Sequence, residues 1–308
     1  MTTTPREVTL VYTNVESGLR EGQDLDLLPE ILAPTLDGEA PTLIGFCEGR
    51  WWARGGRARA EVARILRRLY GTHYQVEIGG IRRSDHPPTV AWRTDRLNLH
   101  QWSAPGNDAH MHGHNTARFS WTDDPSEQVA LRVQIAHLDY ASGDQRLIEA
   151  QTLAPQVDPG LTNILMADFN SALDGAHAGD RDWLAVPQHK RGEKAMLIQV
   201  NGVWTWVKDT RALRALTGPW DELTHKRLTD LGPGYRALAE TDWEQRNRPA
   251  CGLAATTTTD QALPIDHILA DDTVELLPQG YEVHLNEHSD HGVIIARTRL
   301  HPRPRGSQ

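Results

Sequence analysis

Nine short runs rich in β-branched and aromatic residues limit what this chain can fold into more than any other feature. They are EVTLVYTNV (from Glu7), PTLIGFCE (Pro41), HYQVEIGG (His73), TVAWRTDRLNLHQW (Thr89), TARFSWTD (Thr116), QVALRVQIAHLDY (Gln128), NILMADFN (Asn163), PIDHILA (Pro264) and GVIIARTRL (Gly292). Gly, Pro, Asn or Asp bounds each of them, which is the signature of strands. Two amphipathic helices interrupt the pattern. Over 57–70, Ala60, Val62, Ala63, Ile65, Leu66 and Leu69 fall at roughly helical spacing and Gly71 fits as the stop; the second helix spans 144–157 and starts at Asp144. Many strands with few helices predict a four-layer α/β/β/α sandwich, two mixed, mainly antiparallel sheets flanked by helices.

No linker rich in Pro, Gly or Ser divides the 308 residues, so one domain over 1–308 is expected, a size that large sandwiches reach. From about 174 to 262 the texture changes: five of the ten tryptophans (Trp183, Trp204, Trp206, Trp220, Trp243) lie there among short helical pieces such as DTRALRALTG and GYRALAETDWEQR. This reads as an elaborated insertion between two strands.

No stretch approaches the roughly 18 apolar residues of a membrane span. The start of the chain lacks the basic-then-apolar order of a secretory signal, so a cytoplasmic monomer is the expectation. Cys47 and Cys251 form no CxxC pair, which disfavours a disulfide scaffold or a thiolate zinc site. A formal charge of −9 argues against a protein that coats nucleic acid through a wide basic surface. It leaves room for a nuclease, because an acidic metal site contributes to that count.

The apolar runs share one further trait: each meets an isolated polar residue at its edge. Asn14 ends one, Glu48 another, His137 and Asp139 a third, Asp168 and Asn170 a fourth; Asp266 and His267 lie in IDHI, and Asp290 and His291 precede the last run. Residues two apart on an extended segment point the same way, so Asp168 and Asn170 project together. Gathered on one rim, such groups suit phosphoester chemistry. Hard cations such as Mg²⁺ or Mn²⁺ take carboxylate and carboxamide oxygens, which Glu48, Asp290, Asn14 and Asn170 offer. An Asp or His takes a proton from water, and cationic groups meet the negative charge that grows on the phosphoryl oxygens.

The order Asn14, Glu48, His137, ADFN at 167–170, IDHI at 265–268 and SDH at 289–291 resembles the endonuclease/exonuclease/phosphatase superfamily, the deoxyribonuclease I-like proteins, over almost the whole chain. The resemblance implies a divalent-metal-dependent hydrolase acting on a phosphodiester, nuclease-like, with DNA or RNA as possible substrate. By position it makes Glu48 the principal metal carboxylate, with Asn14 and Asp290 beside it. His291 becomes the catalytic histidine oriented by Asp266, Asp168 and Asn170 the pair that orients water and holds phosphate, and His137 the second histidine. Glu77 matches the glutamate that supports this second histidine in the deoxyribonuclease I branch.

Other residues leave alternatives open. Arg118 sits near the presumed rim as a substrate contact. His110, His112 and His114 alternate in a loop that reads as substrate-facing, with a zinc hydrolase as the competing reading. Arg57, Arg59, Arg64, Arg67 and Arg68 mark a solvated helix face or a phosphate-contacting patch, and Trp51 and Trp52 wall a cleft or pack beneath it. A small-molecule or lipid phosphatase of the same fold and a non-catalytic binding module are the remaining alternatives. Retention of Glu48, Asp168, Asp290 and His291 weighs against the module.

Overall fold

A computed structural model describes residues 4–19, 25–54, 56–81, 83–104, 109–258 and 263–303. The strands form two six-stranded mixed sheets. The first runs β15 (Val274–His284), β16 (Val293–Leu300), β1 (Arg6–Asn14), β2 (Leu43–Cys47), β4 (Thr89–Arg93), β3 (Tyr74–Ile78). The second runs β13 (Arg236–Ala237), β14 (Asp266–Ala270), β8 (Thr162–Asp168), β7 (Leu131–His137), β6 (His114–Trp121), β5 (Leu97–Ser103).

Each sheet carries one parallel pair, β1 with β2 and β7 with β8, and its other pairs are antiparallel. That arrangement creates the rim. Parallel neighbours end together, so Asn14 lies opposite Cys47, next to Glu48, and His137 lies opposite Asp168. The antiparallel strand beside each pair begins where the pair ends, which sets Asp266 opposite Asp168 and Val293 opposite Thr13.

Alternation along the strands sorts the layers. Leu10, Tyr12, Ile164 and Met166 enter the core between the sheets together with Trp92, Phe119, Ile135 and Ile294. Gly45 belongs to this interface because a Cβ there would come within 2.9 Å of Ile135 Cδ1 and 3.0 Å of Met166 Sδ. Val11, Ile44 and Phe46 face outward under Val62, Ile65 and Leu66 of the helix Arg57–Tyr70. On the far side Leu165 and Ala167 pack beneath Ala150 and Leu153 of the helix Gly143–Leu153 and Leu213 and Leu216 of the helix Arg211–Thr217. Four layers result, as the sequence predicts. No helix among the described residues is long and apolar enough to cross a membrane.

Three details differ from the expectation. TVAWRTDRLNLHQW holds two strands, β4 and β5, that belong to different sheets, so the chain crosses between layers at 94–96. β15 escaped notice because Pro278 and Gly280 interrupt it where its register with β16 shifts, an irregularity that an edge strand tolerates. Within 174–262 the helix Gln188–Lys194 leads into a hairpin of β9 (Ala195–Val200) and β10 (Val203–Lys208), and β11 (Trp220–Asp221) pairs with β12 (Lys226–Arg227). Residues 259–262 of the insertion and 105–108 of the histidine loop lie outside the described residues.

Candidate active site

The rim gathers the polar strand ends around Asp168, which is buried. Its Oδ2 accepts from Asn14 Nδ2 (3.2 Å) and lies 3.6 Å from His137 Nε2 and 3.7 Å from His291 Nε2. Its Oδ1 accepts from the Asn170 backbone N–H (2.8 Å). Asn14 Nδ2 also donates to Glu48 Oε1 (2.9 Å), while Glu48 Oε2 accepts from Ser17 N (2.9 Å). Because Asn14 Oδ1 is taken by Glu16 N (3.1 Å), this carboxamide clamps two carboxylates with its donor end. His291 Nδ1 donates to Asp266 Oδ2 (2.7 Å), and its Nε2 stands 3.7 Å from Asp290 Oδ1.

Besides Glu16 and Ser17, Glu48 at φ 58° and Asn170 at φ 49° use left-handed backbone that L residues rarely adopt. Each immediately follows a strand of a parallel pair, or lies two residues beyond it, where the chain must turn. Such conformations cost on the order of 1–3 kcal/mol and persist where surrounding contacts hold them. Here the holding contacts are the site's own hydrogen bonds.

The electrostatics separate the two histidines. Burial lowers His137 and outweighs the raising effect of Asp168 and Glu48, leaving a neutral imidazole. Burial also acts to lower His291, but Asp266 and Asp168 overcome it and raise the group to about 10, so it is an imidazolium. Glu48 and Asp168 are held below the usual carboxylate range although burial opposes this; His137 with Asn14, and His291 with His137, respectively, are responsible. Asp290 moves the other way, raised by burial and, against His291, by the charges of Glu16, Glu48 and Asp168. Burial is the largest cause of that rise; apart from it, Glu48, Asp168, Asp266 and Asp290 stand around the one imidazolium, His291, so carboxyl groups are in excess at this rim.

That excess fits a cation. Ligand atoms of Glu48, His137 and Asp168 lie within 4.8 Å of one another, as do those of Asp168, Asp266 and His291. The first set, two carboxylates with a neutral imidazole, matches a hard divalent ion; in the second the charged His291 already serves as the cation.

Not every expected residue reaches the site. Glu77 does not support His137; its Oε2 accepts from Arg59 Nη2 (2.7 Å) beside the helix Arg57–Tyr70, and His137 Nδ1 has no hydrogen-bond partner among the described residues. His112 stacks on His137 instead, with centroids 4.0 Å apart. Arg118 is spent on Asp158 (3.3 Å). His110 and His114 turn inward from the expected substrate-facing loop: both are buried, His110 bonds Thr152, and neither enters a metal-capable group among the described residues. Asp139 caps Ala141 N (2.8 Å) and Ser142 N (2.6 Å) as a turn former, and His267 bonds the Pro264 carbonyl (2.8 Å). Trp52 packs edge-on against Phe46, and Trp51 carries the guanidinium groups of Arg50 and Arg54.

The sequence reading missed several contributors. Thr256 Oγ1 accepts from Ile265 N (3.1 Å) and Asp266 N (3.0 Å), fixing the start of β14. Ser289 Oγ bridges Asn14 O (2.8 Å) and His291 N (3.1 Å). Glu149, fully buried and raised to about 7 chiefly by that burial, accepts from Met111 N (2.8 Å) and Asp139 N (2.7 Å) and braces the loop after His137. Lys194, from the insertion, donates to Asn170 Oδ1. The site opens into a cavity of about 950 Å³ lined by Glu48, His137, Asp168, Asn170 and His291 and, from the insertion, by Arg181, Lys190 and Lys194.

No protein-family model and no curated protein matches the sequence. Solved structures do match in shape. An endonuclease/exonuclease/phosphatase from Bacteroides vulgatus shares 12% identity at a TM-score of 0.57, covering 96% of this chain and 99% of its own. ANGEL2, a 2′,3′-cyclic phosphatase solved with adenosine-2′,3′-vanadate, shares 14% at 0.56, covering 96% of each chain. A mannosyl-6-phosphatase from Bacteroides thetaiotaomicron shares 12% at 0.52, covering 94% and 99%. With near-complete coverage in both directions and the two-sheet topology in place, the chain has the endonuclease/exonuclease/phosphatase fold.

Proposed function

We propose that the protein is a Mg²⁺- or Mn²⁺-dependent phosphoesterase that hydrolyses a phosphodiester by in-line attack of water, in the manner of a nuclease. The observation that carries this reading is the convergence on Asp168 of Glu48, Asn14, His137 and the His291–Asp266 pair at one rim. Glu48, with Asp290 and Asn14 nearby, would hold a divalent ion, whose charge would offset the negative charge of the phosphoryl group. His291, charged through Asp266, donates from Nε2 to a phosphoryl oxygen as charge grows there. Asp168, kept ionised, orients the attacking water, and the neutral His137 beside it is placed to accept a proton.

A second reading has its own support. The cavity, at about 950 Å³, lies within the range of small-ligand sites, and two of the similar structures are named as a 2′,3′-cyclic phosphatase and a mannosyl-6-phosphatase. A phosphatase for a compact substrate uses the same residues. The test is a substrate panel with Mg²⁺ or Mn²⁺: single- and double-stranded DNA, RNA, bis-(p-nitrophenyl) phosphate, a 2′,3′-cyclic nucleotide and sugar phosphates. Turnover of the synthetic diester by the wild type and none by Glu48→Gln supports the phosphoesterase. Inactivity on the whole panel, with no binding of either metal in calorimetry, refutes it.

A further inference from the structure

We propose that Lys194 is a phosphate-binding cation of this site, delivered by the insertion, and that Asn170 acts as its positioning residue. The inference rests on the phosphoesterase reading and names a binding group for that site.

Lys194 sits where the helix Gln188–Lys194 meets β9, and its position is built from three sides. Its carbonyl accepts from Asp209 N (2.9 Å), closing the base of the hairpin. Ser171 Oγ in turn donates to Asp209 O (2.8 Å), tying that base to the turn after β8. The ammonium donates to Asn170 Oδ1, whose own Nδ2 is anchored on Leu138 O (2.9 Å). Asn170 therefore has its oxygen occupied and one of its two amide donors committed. Its fixed orientation serves to aim Lys194.

Lys194 is half-buried as a residue, and it lines the cavity that Glu48, Asp168 and His291 also line. Among the described residues no carboxylate stands within ion-pair distance of it: Asp168, Glu193 and Asp266 act from farther away, and Arg146 opposes them. Holding a desolvated charge without a close counterion is costly unless a ligand supplies the partner. A phosphoryl group in the cavity that Glu48 and Lys194 both line does so, and a lysine meets phosphate oxygens as a compact point charge. The competing explanation is that Lys194 only steadies the hairpin base.

Lys194→Gln separates the two, because glutamine keeps a donor for Asn170 while removing the charge. The probes are inorganic phosphate, titrated by calorimetry with and without Mg²⁺, and bis-(p-nitrophenyl) phosphate for kinetics. Lys194→Gln is expected to weaken inorganic phosphate at least ten-fold and to lower kcat/KM on the diester about a hundred-fold, the scale seen when one donor to a developing oxyanion is removed, with Tm unchanged. Lys194→Arg is expected to keep phosphate affinity within a few-fold. Asn170→Ala should cost about as much as Lys194→Gln alone, and the double variant little more than either, the non-additivity of residues acting as one unit. Wild-type phosphate affinity in Lys194→Gln overturns the proposal, as does multiplication of the two single losses. Should Lys194→Gln fail to fold, loss of phosphate binding in a folded Lys194→Arg overturns it. Phosphate binding is read without turnover, so an inactive wild type that still binds phosphate through Lys194 refutes the enzyme and not this assignment.

Discussion

The polar rim and the 174–262 insertion reach the same cavity by different routes. The rim is made by register: four strand ends meet because two parallel pairs terminate together and their antiparallel neighbours begin beside them. The insertion has no such regular frame. It is held by a buried network in which Arg227 bonds Asp174 and Glu240, Glu240 bonds His177 (2.6 Å), and His177 packs on both Trp220 (4.3 Å) and Trp243 (4.5 Å). Side-chain direction along a strand follows from a two-residue period; in the insertion it follows from contacts that only the folded segment creates. The rim should therefore fail through its chemistry and the insertion through its folding.

The largest effect is expected at Glu48. Glu48→Gln removes a ligand charge and keeps the shape, so metal-dependent hydrolysis of bis-(p-nitrophenyl) phosphate should vanish while circular dichroism and Tm stay those of the wild type. Substantial turnover at saturating Mg²⁺ would sink the metal assignment. Next comes the His291–Asp266 pair. Asp266 touches no substrate and acts through the imidazole, so Asp266→Asn should cost less than His291→Ala, yet still as much as several orders of magnitude in kcat, as for carboxylates that orient a catalytic histidine. A silent Asp266→Asn would dissolve the pairing.

The insertion is expected to answer differently. Arg227 is 5% exposed and serves two carboxylates. Arg227→Met leaves Glu240 and Asp174 short of a counter-charge in a buried setting, a loss on the order of 3–5 kcal/mol. Thermal or urea unfolding measures it. If the loss stays below about 1 kcal/mol, the network does not hold the insertion together.

The positions that gather at the rim were legible in the sequence because a polar residue at the edge of an apolar β-branched run marks a strand end whatever surrounds it. Asn14, Glu48, Asp168, Asp266 and His291 are of this kind. Glu77 was misplaced because alternation tells which face of β3 a residue occupies and not which neighbour waits there; that neighbour is Arg59. Lys194 gave no signal at all. In QHKRGEK it reads as one cation of a solvated basic helix, and only the closure of the hairpin through Asp209 turns it toward Asn170. The tryptophans illustrate the same limit: Trp183, Trp220 and Trp243 are core, and Trp206 packs against the cluster of Trp183, Val186, Ala195, Leu263 and Ile265.

The histidine loop offers a test of stability against pH. Burial holds His110 at about 3 and His114 at about 4, and lowers His112 too, so all three are neutral in the folded protein and regain ordinary values on unfolding. The stability they contribute is complete above pH 6.5 and is lost as pH falls toward 4, at about 1.4 kcal/mol per group per pH unit. Glu149 works against them, since a carboxyl raised to about 7 gains from protonation over the same window. These four groups together contribute a fall in stability of roughly two protons' worth per unit between pH 6 and 5, to which His267 and His137 add and which Asp266 opposes; urea midpoints at each pH read the sum. His110→Asn should flatten that slope by one proton; an unchanged slope would show that His110 protonates freely in the folded state.

The smallest effect concerns the one tryptophan of the insertion that remains open. Trp204 is 65% exposed, on the same face of the hairpin as the packed Trp206. Phosphoryl chemistry treats all esters alike, so discrimination must come from surfaces that meet the rest of the substrate, and this hairpin grows directly from Lys194 at the cavity wall. A flat indole there suits stacking on a base, worth about 1–3 kcal/mol in single-strand binders. Trp204→Ala should therefore raise KM for a single-stranded DNA oligonucleotide by about five- to ten-fold, near the lower end of that range, and leave bis-(p-nitrophenyl) phosphate hydrolysis nearly unchanged. Trp206→Ala should instead lower Tm and reduce activity on both substrates, because its ring supports the small core under the hairpin. Equal losses on both substrates from Trp204→Ala would assign that ring to folding as well, and the line between a chemical rim and a selective insertion would have to be drawn farther from the hairpin.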